Sequence, residues 1–150
     1  MTIIPPQRMI FGRGLFPGAN IVAPGRHLVP DVTYLAHPGL TLLPDGRIQV
    51  TGPAGVGEWN YFSTVNIASG SGATRTNIAV FLTYNGAEIP STRRYCYARL
   101  NGYGSSAALF ARLTNLSMGD IIGLFAFRGG TDIMQVTAYG ISGYMEKIDR

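Results

Sequence analysis

Apolar residues recur at every second position in short runs, and each run stops at a glycine or proline turn signal. Ile78, Val80 and Leu82, with Tyr84 behind them, keep this period and end at Asn85-Gly86. Residues 40–43, Pro44-Asp45-Gly46 and 47–50 read as a hairpin about an Asp-Gly turn. The run 59–67 puts Tyr61, Ser63, Val65 and Ile67 on one face, and further strands are expected at 94–100, 107–113, 121–127 and within 133–148. No segment holds a helical period. Twenty glycines and nine prolines are dispersed among 150 residues, which disfavours long helices and leaves eight or so short strands. That is the pattern of an all-β sandwich or jelly roll.

The N-terminal stretch is different. Seven of the nine prolines stand at Pro5, Pro6, Pro17, Pro24, Pro30, Pro38 and Pro44, where each removes a ladder donor and biases its predecessor toward extended geometry. The same stretch carries many large apolar side chains, with Arg8, Arg13 and Arg26 and no acid before Asp31. A solvated linker does not need them. The chain is therefore expected to divide into an extended Pro-rich N-terminal arm, 1–38, and one jelly-roll β-sandwich domain, 39–150. Arg8, Ile10, Phe11, Arg13, Leu15, Phe16 and Arg26 are the arm residues expected to bury against a partner. An arm packed across its own domain is the alternative.

The inventory for chemistry is thin. Only 13% of the residues are charged, and the net charge of +4 comes from eleven Arg and one Lys. Arginine suits forked protein contacts, whereas diffuse attraction to nucleic acid recruits lysine as well, so no nucleic-acid partner is expected. Arg93, Tyr95, Tyr97 and Arg99 share one face of an expected strand, an arrangement that serves base stacking or, with more weight here, a protein-binding surface. Cys96 is the single cysteine, so no intrachain disulfide and no Cys-based zinc site can form. His27 and His37 lack ligand partners at i+3 to i+5 and are expected at a surface or interface. Asp45 and Asp120 beside glycines are assigned to turns. No catalytic residue, metal ligand or cofactor is expected, and the chain is expected not to be an enzyme. No apolar run reaches the ~18 residues of a membrane-crossing helix, and the start lacks a secretory pattern, so cytoplasmic synthesis and no membrane partner are expected.

Some strands are apolar on both faces. In 121–127, Ile121, Phe125 and Phe127 share one face while Ile122, Leu124 and Ala126 share the other. Phe81 and Phe110 each stand opposite the apolar face of their own strand. A sandwich strand needs one buried face, so a second layer or a second subunit must cover the other, and a symmetric oligomer is the economical solution.

The order of four short motifs across about residues 45–148 resembles the tumour-necrosis-factor-like and complement-globular-head jelly rolls. They are Gly57-Glu58-Trp59-Asn60-Tyr61-Phe62-Ser63, Val80-Phe81-Leu82-Thr83-Tyr84-Asn85-Gly86, residues 108–113 followed by Met118-Gly119-Asp120-Ile121-Ile122-Gly123-Leu124, and Tyr139-Gly140-Ile141-Ser142-Gly143-Tyr144-Met145. The resemblance implies a compact homotrimer, with Phe81, Phe110, Ile122 and Leu124 as the trimer interface. No Gly-X-Y repeat of a collagen stalk is present. A short jelly roll with an apolar arm is similar instead to the trimeric decoration, or cement, proteins of bacteriophage capsids, and to the knobs of phage fibres. The expectation is a structural virion protein, made in the host cytoplasm and bound to the major capsid protein on the outer capsid surface. The alternative is a fibre-tip module that recognises a host cell-surface glycan or protein.

Overall fold

The alternating pattern becomes two antiparallel sheets packed face to face. The computed structural model describes residues 7–13, 19–20, 26–27, 29–30, 32–69, 76–98, 104–128 and 136–148. The strands are β1 (Arg8–Arg13), β2 (Ala19–Asn20), β3 (Arg26–His27), β4 (Val32–Leu35), β5 (Leu40–Leu42), β6 (Ile48–Val50), β7 (Gly57–Ser69), β8 (Thr76–Tyr84), β9 (Ala87–Glu88), β10 (Arg94–Ala98), β11 (Gly104–Leu116), β12 (Ile121–Arg128) and β13 (Val136–Lys147). Sheet 1 runs in the order β11-β7-β13-β1-β4, with β2 also on β13. Sheet 2 runs β10-β8-β12-β6-β5, with β3 on β12 and β9 on β8.

Alternation decides what lies between the sheets. Sheet 1 turns Trp59, Tyr61, Val65 and Ile67 of β7 inward, with Leu109 and Leu113 of β11 and Met145 of β13. Sheet 2 answers with Ile78, Val80 and Leu82 of β8, Ile122, Leu124 and Ala126 of β12, and Cys96 of β10. Trp59 is wholly buried, and its indole N–H donates to the Gly55 carbonyl at 2.8 Å, so the largest core side chain brings no unpaired donor.

The expected turns form where the chain needs positive φ. Asn85 and Gly86 have φ of 50° and 86°, the pair of left-handed residues that a two-residue hairpin between β8 and β9 requires. Gly39 serves close approach instead, since a Cβ there would lie 1.9 Å from the Gly55 amide nitrogen. The expected hairpin over 40–50 is present, with Leu40 opposite Val50 and Leu42 opposite Ile48.

The expected division at residue 38 does not hold for the described residues. β1 is an interior strand of sheet 1, paired with β13 along Arg8–Arg13 and with β4 on its other side. Met9 and Phe11 are each 1% exposed and belong to the core. Proline explains why this was hidden: none occurs from Gln7 to Phe16, so a full ladder of donors survives within a stretch that reads as proline-rich overall. Arg8–Arg13 and Val32–Leu35 are therefore packed across their own domain, as in the alternative. Leu15 and Phe16, and the side chains of Arg13 and Arg26, lie outside the described residues.

Candidate functional site

The outward face of sheet 1 carries one apolar row that crosses five strands. Phe110 on β11 lies opposite Phe62 on β7, Phe62 opposite Tyr144 on β13, Tyr144 opposite Ile10 on β1, and Ile10 opposite Leu35 on β4. Five strands at about 4.8 Å spacing make a band roughly 19 Å long. The Phe62 and Tyr144 rings stack with centroids 5.6 Å apart. Both ends are open: Phe110 is 53% exposed, and on β4 Tyr34 is 64% and Leu35 43% exposed.

The residues beside the row are polar and largely satisfied. In the next register, Arg112, Asn60, Glu146 and Arg8 lie side by side across β11, β7, β13 and β1. Arg8 donates to Glu146 and sits 5.0 Å over the Tyr144 ring, while Arg112 donates to Glu58 at 2.6 Å. The hydrogen bond from Arg8 to Glu146, and the charge of that carboxylate, raise the Arg8 pKa above its usual value. On the other flank the Thr64 and Ser142 hydroxyls bond at 2.9 Å. The charged side chains Arg8, Glu146, Arg112 and Glu58 pair with one another inside the face, so the apolar row can be covered without stranding these charges.

The sheet geometry sorts the residues that the sequence singles out. Phe110 lies on this face. Phe81 does not: it sits on the outward face of sheet 2, 7% exposed, against Phe125 and Phe127. Ile122 and Leu124, expected at a subunit interface, are 2% and 3% exposed and point into the core. The two faces of 121–127 are real, but the wrong one was assigned to the interface, because sequence parity does not say which face meets the opposite sheet. Of the expected arm residues, Phe11 is in the core, Ile10 is in the apolar row and Arg8 is in its polar flank. Phe62, Tyr144, Tyr34 and Leu35 were missed. Phe62 carried the same signal as Phe110, a large aromatic out of phase with its strand's buried face.

Asp120 and Cys96, away from this face, are structural. Asp120 accepts from the Tyr84 hydroxyl, the Asn85 side chain and the Ser117 amide, at 2.6, 3.1 and 2.9 Å. These bonds hold its carboxyl below the usual range and tie the β8–β9 turn to the β11–β12 turn. Cys96 is buried, and desolvation pushes its thiol pKa up, the opposite of what a nucleophile needs. Among the described residues no three His, Cys, Asp or Glu side chains gather to hold a metal ion.

With both sheets placed, the strand order can be set against solved structures. The globular domain of zebrafish complement 1qA superimposes with a TM-score of 0.62 at 14% identity, covering 97% of this chain and 99% of that one. The fold is a TNF-like jelly roll. Eiger TNF from S. frugiperda matches the jelly roll with a TM-score of 0.57 at 17% identity over 98% and 96% of the two chains. Murine APRIL at pH 5.0 matches at 0.50 and 12%, over 93% and 99%. No protein-family model and no curated protein matches the sequence. At these identities the jelly roll shares an architecture with its neighbours, and function has to be argued from its own surface.

Proposed function

We propose that the chain works as a homotrimeric structural module that decorates the outer surface of a bacteriophage capsid. The observation that carries the oligomer is the apolar row from Phe110 to Leu35. An isolated subunit would leave it in water, and exposed apolar bands of this kind mark interfaces. The row ends in two chemically different edges, Phe110 on β11 and Tyr34 with Leu35 on β4. A two-fold interface pairs a patch with itself, whereas two unlike ends suit a head-to-tail ring. The resemblance implies that the ring closes at three.

The capsid role rests on that trimer and on the resemblance to decoration proteins. A trimer that binds the assembled shell more tightly than free capsid protein stabilises the shell by mass action, and three attachment points per trimer raise affinity through effective concentration. With β1 built into sheet 1, attachment falls to surfaces other than Phe11. The test is to add the purified protein to capsids assembled without it and measure co-sedimentation and the temperature of shell disruption. Saturable binding in threes with a raised disruption temperature is expected. An intact trimer that leaves such capsids bare and no more stable would contradict the capsid role.

A further inference from the structure

The outward face of sheet 2 points away from the proposed trimer contact, and it contains a built hollow. Its volume is about 240 Å³, and it is lined by Phe81, Thr83, Gly86, Glu88 and Phe125. That is below the ~300–1,000 Å³ of sites for drug-sized molecules, so one small ring is the scale of its occupant. The Phe81 and Phe125 rings, 5.3 Å apart and tilted by 32°, form one wall. Thr83 is 4% exposed, yet its hydroxyl makes no hydrogen bond among the described residues and is not sealed from the hollow. Glu88 stands at the rim, fixed by Arg93 through two bonds of 2.6 and 2.8 Å, one to each carboxylate oxygen.

We propose that this hollow is a binding site for a neutral sugar ring, the terminal or branch residue of a glycan. Charge selects the class. Arg93 neutralises Glu88 while lying 4.9 Å over Phe81 and 5.3 Å over Phe127. The pair carries no net charge, so it offers nothing to offset the desolvation of a cationic or an anionic ligand. A wholly apolar ligand would bury the Thr83 hydroxyl without a partner, which is costly. A pyranose satisfies each group at once. Its C–H face lies on the half-buried Phe125 side of the wall, since Arg93 already covers Phe81, one hydroxyl bonds Thr83, and another donates to a spare lone pair of the Glu88 carboxylate, which pairing with Arg93 keeps ionised. The site is argued from the sheet 2 face alone and does not rest on the capsid reading.

The experiment is saturation-transfer NMR on the assembled protein with methyl glycosides of glucose, galactose and N-acetylglucosamine at tens of millimolar. Sialic acid, methylammonium and N-methylacetamide serve as anionic, cationic and amide probes. Transfer to ring protons of at least one neutral glycoside is expected, with none to the other three probes. Thr83→Val, which keeps shape and loses the hydroxyl, should weaken binding about five- to tenfold, and Phe125→Leu should abolish it, with sedimentation and melting confirming that both variants remain folded. No transfer to any neutral glycoside, equal transfer to a charged or amide probe, or unchanged binding by a folded Thr83→Val would each overturn the site. Capsid co-sedimentation is read separately, so failure here and failure of the capsid role are distinguishable.

Discussion

His37 shows how much a single residue's role depends on partners far away in sequence. Its position beside Pro38 and the lack of a nearby ligand suggested a surface or interface histidine, but the side chain is 6% exposed and edge-on to Trp59 at 5.0 Å. The Gly39 amide donates to Nδ1 at 3.1 Å, so the proton sits on Nε2, which donates to the Gln7 side-chain oxygen at 2.7 Å. A second proton would place an N–H against the Gly39 N–H. Burial, reinforced by the Lys147 charge, accordingly lowers the His37 pKa. Because the folded state prefers the neutral ring, stability is full above the ordinary histidine range and falls as pH drops through the lowered value. Thermal melts from pH 7.5 to 5 should show a fall that His37→Gln largely flattens, and an unchanged slope in that variant would disprove the assignment. Asp120 acts in a separate, more acidic window. Its pKa is depressed, so its contribution is present above the usual aspartate range and lost only below it. Asp120→Ala removes three hydrogen bonds at a partly solvated site and should cost about 1–2 kcal/mol by denaturant unfolding. In sequence, Gly119-Asp120 was legible as a turn. Its bond to Tyr84 was not, because that contact depends on how β8 and β12 pair.

At the scale of elements, β1 is where local reading and fold diverge most. Strand parity, the hairpin over 40–50 and the Asn85-Gly86 turn were all legible, since each is encoded by residues a few positions apart. The partner of β1 is β13, at the other end of the chain, and no local pattern reports such a pairing. Composition averaged over 1–38 then masked a proline-free strand whose inward residues, Met9 and Phe11, alternate with Arg8 and Ile10 outward. Phe11→Ala should destabilise by about 3–5 kcal/mol, as expected for a large aromatic removed from a packed core. Deleting residues 1–13 should do more, exposing the β13 edge and opening the core, so the truncated chain should lose its cooperative melting transition. A truncated protein that melts cooperatively near the temperature of the full chain would show that β1 is dispensable to the sandwich.

The whole molecule poses the question of what covers sheet 1. Its sequence announced that strands were apolar on two faces, and Phe110 was correctly placed outside the core. Which outward residues join into one surface depends on register between strands distant in sequence, so Tyr144 and Leu35 became visible only once the sheet was assembled, whereas Phe62 carried the signal that marks Phe110. Their alignment with Phe110 and Ile10 makes the assembly testable at one edge. Phe110→Glu puts a charge where the account buries an apolar end, at an exposed position that contributes little to the subunit's own core. Sedimentation equilibrium at micromolar concentration tests this most directly. A single species of three times the 16.1 kDa chain mass is expected, converted to a folded monomer by Phe110→Glu. A wild-type protein of one chain mass, or a trimer that survives Phe110→Glu unchanged, would contradict this assembly.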